Sequence, residues 1–278
     1  MQTQPINNQL LFLKLGGSLI TDKSRPHTVR SGVLARLADE IFIVLNEKPD
    51  LQILLGHGSG SFGHVPAKKF GTRNGVKTKS EWRGFIEVWR EAAELNHHVI
   101  SALIDAGLQA ISLPPSGSVI ADDGEISLWE LSALTSALEV GLLPVIYGDV
   151  SFDRVRGGTI LSTEDLFTYL AYQLIPKRII LAGREPGIWA DYPESKNLLT
   201  DLSPKNIAQI NPLLEGSSNT DVTGGMASKV RQSLELVQKI PALEVLIFSG
   251  ETPGMLQRAL LGERVGTTIH NSDFLPES

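Results

Sequence analysis

Between Gly56 and His64 the chain reads Gly-His-Gly-Ser-Gly-Ser-Phe-Gly-His, with glycines at 56, 58, 60 and 63. An apolar run, Leu51 to Leu55, feeds it. Glycine admits positive φ and lets a backbone come close to a ligand. After a buried strand, such a loop turns successive N–H groups toward an anion, usually a phosphate. A plain strand-to-helix turn needs only one glycine, so this stretch reads as an anion loop. Lys14 closes a second apolar run, Leu10 to Leu15, and Gly16-Gly17-Ser18 follows at once. A lysine at the end of a buried strand is costly unless it meets an anion or snorkels out to water. Lys23 adds a cation near the same strand end. A third motif, Asn219 to Lys229, puts Gly224 and Gly225 at a helix start with Lys229 one turn in, which makes another anion site.

Carboxylates complete the set. Asp149 follows the apolar run ending at Tyr147, at the strand end where open α/β sheets bind ligands. Glu164 and Asp165 open a helix, and Ser162 with Asp165 also fits a capping box, a purely structural role. Lysines at glycine turns with nearby acids suit phosphoryl transfer, where catalysis is mostly positioning and charge neutralisation. The Walker pattern is absent. Gly58-Ser59-Gly60-Ser61-Phe62-Gly63 has dinucleotide-loop spacing, but the basic stretch Lys77-Thr78-Lys79 stands where a ribose-binding acid belongs.

These residues require strand ends and helix starts at fixed places. Apolar spacing predicts helices over 33–45, Ser80 to Leu103, Ser127 to Val140 and Ser162 to about Leu174, with a short one over 254–261. Ser80, beside Glu81, is the expected cap of the second. Strands are expected at 10–15, 51–55, 110–113, 142–147, 178–182, 243–248 and 266–269, with a hairpin over 118–126 around Asp122-Asp123-Gly124. Segment 154–158 has turn character, and 183–197 reads as a polar loop. The strand–helix alternation restarts in the second half, which predicts two lobes on one continuous sheet. Core packing is the simpler reading of Trp82, Phe85 and Trp89; the alternative turns Phe85 and Trp89 toward an apolar substrate pocket.

The 278 residues suffice for a full core. There is no cysteine, which excludes disulfides, thiol nucleophiles and Cys-based zinc sites. A net charge of −6 argues against a general nucleic-acid binder. Met1 to Gln9 lacks a signal-peptide pattern and no run reaches membrane-span length, so a cytoplasmic protein is expected.

Lys14-Leu15-Gly16-Gly17-Ser18, the Gly56–His64 loop, Tyr147-Gly148-Asp149 and Asp221-Val222-Thr223-Gly224-Gly225-Met226 with Lys229 together resemble the amino acid kinase superfamily. The motifs run in order over about residues 11 to 269. K-x-G-G-S marks the superfamily only; the G-S-F-G-H ending is more specific and resembles the isopentenyl phosphate kinases within it. The resemblance implies an α/β fold of amino acid kinase type, an αβα sandwich with a mainly parallel central sheet. Residues 1–175 would form the acceptor-binding lobe and 176–278 the ATP-binding lobe. It implies that Lys14, Gly16, Gly17 and Ser18 hold ATP phosphates, Lys14 also neutralising the transferred group. Ser59 and Gly60 would contact substrate and nucleotide through N–H groups, and His64 would donate to a phosphate already on the acceptor. Gly148 would line the substrate site, Gly225 and Lys229 would hold ATP, and Lys23 would add a phosphate contact. Either Glu164 or Asp165 would orient the lysines. The catalytic set is thus Lys14, His64, Lys229 and the acids at 164–165, with ATP and Mg²⁺ required and no residue singled out as a metal ligand.

The activity implied is phosphorylation of a small alkyl monophosphate, isopentenyl phosphate above all, to its diphosphate. The enzyme would be a homodimer that binds neither nucleic acid nor membrane. The alternatives are a sister kinase for a phosphonate such as fosfomycin, or a non-catalytic nucleotide sensor. One departure bears on the nucleotide: where the family commonly has D-x-D-G-[VI]-Y, this chain has Arg184-Glu185-Pro186-Gly187-Ile188-Trp189.

Overall fold

A computed structural model describes residues 9–191, 194–206 and 225–272, apart from the side chain of His64. Asp221 to Gly224 of the third glycine motif therefore lie outside the described residues. The chain runs β1 (Leu10–Leu15), α1 (Gly17–Ile20), α2 (Ser31–Glu47), β2 (Gln52–His57), α3 (Gly60–Phe70), α4 (Lys79–Asp105) and β3 (Ala110–Ser112). It continues through β4 (Val119–Asp122), β5 (Glu125–Trp129), α5 (Ser132–Glu139), β6 (Leu143–Tyr147), β7 (Asp149–Asp153), β8 (Gly157–Leu161) and α6 (Thr163–Leu174). The last described part holds β9 (Arg178–Gly183), β10 (Ile188–Trp189), β11 (Leu198–Leu199), β12 (Asp201–Leu202), α7 (Gly225–Lys239), β13 (Glu244–Ser249), α8 (Met255–Leu260) and β14 (Thr267–His270).

The main sheet has the order β12-β14-β13-β9-β1-β2-β6-β3 and is parallel except where β13 meets β14. Its inner strands are apolar without alternation because both faces are covered. All six residues of β1 are buried, and their side chains divide between the faces. Leu10 and Phe12 pack with residues of α5, α6 and α7 such as Leu134, Phe167 and Val230. Leu11, Leu13 and Leu15 pack with residues of α2, α4 and α8 such as Leu37, Leu95 and Leu256. The result is an αβα sandwich. Lys14 shares the Phe12 face by the same alternation, so it leaves the strand toward α6. Strand β1 pairs in parallel with β2 on one side and β9 on the other, and the order in which strands are added to the sheet reverses there. Its C-terminal end is the switch point at which open α/β sheets bind ligands.

A second sheet, β5-β4-β7-β8, caps one end. Here the sequence reading is corrected. The hairpin around Asp122-Asp123-Gly124 extends to Trp129, because Ile120 pairs with Leu128 and Val119 with Trp129, so the helix starts at Ser132 instead of Ser127. Within segment 154–158 only 154–156 is a turn; it joins two antiparallel strands, β7 and β8, that local pattern did not reveal. Helix α4 is capped by Thr78, not Ser80: Glu81 N donates to Thr78 Oγ1 at 3.2 Å, and Thr78 N donates to Glu81 Oε2 at 2.7 Å. The polar segment 183–197 contains β10, which pairs with β11.

Candidate active site

Lys14 is only 6% exposed, and its Nζ donates to Glu164 Oε1 at 2.8 Å. Lys229 Nζ stands 3.9 Å from the same oxygen. Burial works to raise the Glu164 carboxyl, but Lys14 and Lys229 outweigh it and hold it below its ordinary value. Two lysines from opposite ends of the chain thus share one carboxylate at the end of β1. Glu164 reaches this point because the Ser162–Asp165 capping box fixes the first turn of α6, with Asp165 N donating to Ser162 Oγ at 3.1 Å and Ser162 N to Asp165 Oδ2 at 2.8 Å. Asp165 points elsewhere, accepting from Arg73 Nη2 at 3.0 Å and Gln232 Nε2 at 3.2 Å.

Above the lysines the first two glycine motifs meet backbone to backbone. A Cβ on Gly17 would lie 2.3 Å from Gly60 N, and Gly60 itself has φ +52°. Only glycine fits both positions. Thr21 pins the contact: its Oγ1 donates to Gly17 O at 2.7 Å and accepts from Ser61 N at 2.9 Å. Gly16 N donates to Ala182 O at 2.8 Å, which ties the first loop to β9. The N-terminal turns of α3, α6 and α7 converge on the same cleft, and the first N–H groups of a helix have no intrahelical acceptor.

The cleft holds about 650 Å³. Lys14, Gly16, Gly17, Ser18, Lys23, Ser59, Gly60, Gly148, Glu164 and Lys229 all line it. Gly225 opens α7 next to the lining residue Met226. His64 lies in the first turns of α3, and its side chain is outside the described residues. Asp149 is fully buried, accepting from Ser116 N at 3.2 Å and Val150 N at 2.8 Å, so despite its place after β6 it does not serve the cleft.

One end of the cleft is apolar, formed by Ala67, Val88, Ala92 and Ile160. Helix α4 does wall this end, but through Val88 and Ala92. Phe85 packs against Trp82 and Phe152 at ring distances of 5.1 and 5.5 Å, and Trp89 is 42% exposed. The core-packing reading therefore holds for Phe85, and the pocket reading fails for both aromatics. At the other end Arg184 Nε meets Glu251 Oε1 at 3.0 Å, and Glu251 also takes both terminal nitrogens of Arg30, at 2.7 and 2.8 Å. Arg73, Thr163, Arg184, Glu185 and Glu251 line the cleft without having been read as site residues. Only the 184–189 segment carried a signal, its departure from the family pattern. Among the described residues no three His, Asp or Glu side chains converge as a metal cage.

His57, in the same glycine loop, is a structural residue. It is fully buried, stacks on Tyr147 at 5.3 Å and shares a 3.2 Å hydrogen bond with Asn96 Oδ1. Burial pushes its imidazole down to about 4 from 6.5, so the folded state takes up its proton later than the unfolded state on acidification. Between those values the unfolded chain binds more protons, so this residue makes stability rise with pH. Burial raises Asp149 from 3.8 to about 6, with the opposite sign. The clean readout is therefore a comparison: the stability gap between wild type and His57→Gln should narrow as pH falls from 6.5 toward 4. Urea melts at several pH values measure it, and a gap independent of pH would show that His57 is not held neutral.

The amino acid kinase family profile matches residues 9–249. The isopentenyl phosphate kinase of Methanothermobacter thermautotrophicus is 36% identical over 94% of this chain and 98% of its own length. That of Methanocaldococcus jannaschii is 33% identical over 95% of this chain and 100% of its own. Among solved structures, an isopentenyl phosphate kinase with 31% identity superposes with a TM-score of 0.78, covering 94% of this chain and 99% of the other. A product complex of the Thermoplasma acidophilum enzyme gives 0.75 at 27% identity, over 94% of this chain and 100% of the other.

Proposed function

The chain belongs to the amino acid kinase family and, within it, to the isopentenyl phosphate kinases, and from that premise we propose that it phosphorylates isopentenyl phosphate with ATP. An oxygen of the acceptor phosphate attacks the γ-phosphorus of ATP; the new P–O bond forms as the bond to the ADP oxygen breaks, and the products are isopentenyl diphosphate and ADP. The observation that carries this reading is the convergence of Lys14 and Lys229 on Glu164 beneath two interlocked glycine loops. The lysines neutralise charge on the group in flight, while the loop N–H groups hold the phosphates on either side. Glu164 holds the buried Lys14 and the partly exposed Lys229 toward one point; Asp165 has no such contact. Ser59, Gly148 and Lys23 are assigned to the acceptor side, and Gly16, Gly17, Ser18, Gly60 and Gly225 to ATP.

We assign the acceptor to the lobe 1–175 and ATP to 176–278, with Gly16, Gly17 and Ser18 of the first lobe reaching the ATP phosphates; one sheet runs through both. Mg²⁺ enters this reading with the nucleotide, where it would neutralise phosphate charge. No described helix is long and apolar enough to cross a membrane. A cytoplasmic homodimer completes the proposal, the dimer being checked by sedimentation. Turnover of ATP with isopentenyl phosphate, longer alkyl phosphates, fosfomycin and N-acetylglutamate, followed by ³¹P NMR, tests the function. A diphosphate product is expected from isopentenyl phosphate. Faster turnover of the phosphonate or the carboxylate would overturn the substrate assignment.

Two variants probe the acceptor side. His64 follows Gly63, which lines the cleft, and we assign its imidazole to the acceptor phosphate. His64→Ala should raise KM for isopentenyl phosphate about tenfold or more, the scale of a lost charge-assisted hydrogen bond, with KM for ATP little changed. An unchanged acceptor KM would remove the case for that contact. Ile160→Ala enlarges the apolar end. Its kcat/KM for longer alkyl phosphates relative to isopentenyl phosphate should rise roughly tenfold, since a methylene or two in such a pocket is worth that much. An unchanged ranking would place the hydrocarbon elsewhere.

A further inference from the structure

Asp165 takes no part in the contact between the two lysines and Glu164, yet its carboxylate is engaged on three sides. Oδ2 accepts from Ser162 N at 2.8 Å and from Arg73 Nη2 at 3.0 Å, and Oδ1 accepts from Gln232 Nε2 at 3.2 Å. Capping α6 uses only the first of these bonds. The other two reach out to the segment 72–74 and to α7. Lys229 and Gln232 are three residues apart on α7 and so present one face. They land on consecutive residues of α6, Lys229 3.9 Å from Glu164 Oε1 and Gln232 on Asp165. Besides its apolar packing, helix α7 therefore meets α6 at two polar points, one of which uses no group needed for chemistry.

Arg73 holds the far side of the carboxylate from a fixed base. Its own carbonyl oxygen accepts from Thr159 Oγ1 at 3.0 Å and Arg156 Nη1 at 3.3 Å. A hydrogen bond from an amide to an ionised carboxylate is stronger and more directional than one between neutral groups. Lys229, by contrast, has a long flexible side chain whose aim depends on where α7 sits. We propose that Arg73, Asp165 and Gln232 form a positioning device that sets α7 against α6 and thereby aims Lys229 at the transferred phosphoryl group. The inference rests on the phosphoryl-transfer reading above and deepens it.

The test is a double-mutant cycle on the full chain. Gln232→Leu removes the amide but neither the cap nor any charge, and Asp165→Asn keeps a capping oxygen while losing the ion pair. Each is made in wild type and in Lys229→Ala, with kcat, both KM values and thermal unfolding measured. A misplaced catalytic group costs up to a hundredfold per ångström, so Gln232→Leu should lower kcat about tenfold in wild type with acceptor KM within about twofold. In Lys229→Ala the same change should cost less than about twofold, because residues acting through one group are not additive. A role in stability alone would lower kcat equally in both backgrounds, and that result, or wild-type kcat in Gln232→Leu, overturns the proposal. Should Gln232→Leu fail to fold, Gln232→Asn, which shortens the amide by one methylene, must show the same loss and the same dependence on Lys229. A wild-type chain inactive toward every acceptor sinks the kinase reading and this inference with it. An active wild type with unaffected Gln232 variants sinks only the inference.

Discussion

Lys14→Met is expected to lose at least about a hundredfold in kcat, the scale seen when one preorganised charge or donor is taken from a closed site. The methionine keeps the length and packing of a side chain that is 6% exposed, so the loss isolates the charge. KM for either substrate should change far less, because the ammonium matters most when negative charge is spread over the group in flight. The variant also leaves Glu164 buried with Lys229 as its remaining cation, 3.9 Å away. Burial then dominates, and the Glu164 carboxyl should climb. In wild type its pKa is depressed, so the stability it contributes is present above the ordinary carboxylate value of 4.5 and is lost as pH falls through the lower folded value. In Lys14→Met that acid-side loss should shrink. Steady-state kinetics and urea melts at pH 3 to 7 measure both effects. A kcat within tenfold of wild type would remove Lys14 from the chemistry, whatever the fold.

Gly17→Ala should be nearly as damaging by a different route. The added Cβ would stand 2.3 Å from Gly60 N and 2.6 Å from Gly60 Cα, both backbone atoms that cannot turn aside. Relieving the clash requires the two glycine loops to part by about 1 Å, and such a shift in a reacting geometry costs roughly a hundredfold in kcat/KM. Overpacking of this kind also destabilises by about 1–3 kcal/mol. Gly32→Ala is the control, since a Cβ there meets nothing within 4 Å and the helix position favours alanine. If Gly17→Ala retained normal kcat/KM, the close contact of the loops would not be what positions the phosphates. Calorimetry separates the stability loss from the kinetic one.

Much of this protein was legible in the chain itself. Glycines 56, 58, 60 and 63 after an apolar run, and Lys14 before Gly16-Gly17-Ser18, marked anion loops because glycine and lysine carry distinctive local costs that only a ligand or a close contact offsets. Unbroken apolar runs such as Leu10 to Leu15 signalled strands covered on both faces. The capping box at Ser162 and Asp165 was visible because its parts lie three residues apart.

What needed the fold is whatever depends on partners distant in sequence. The choice between Glu164 and Asp165 turns on Lys14, which is 150 residues from Glu164, and on which way the first turn of α6 rotates. The chain shows two adjacent acids; only the sheet, by sending Lys14 out on the Phe12 face, selects one. Strand β7 pairs with β8 on one side and β4 on the other, and these short mixed segments carry no periodicity strong enough to announce it. On α4 the aromatics form the conspicuous part of the stripe, but the helix is rotated so that Val88 and Ala92 reach the cleft. Helical spacing fixes which residues share a stripe, while the packing of α4 on α3 and β7 decides which stripe meets the ligand. Arg73 and Glu251 have no motif at all, since a lone charge gains its meaning from what it touches, and those contacts span 92 and 221 residues.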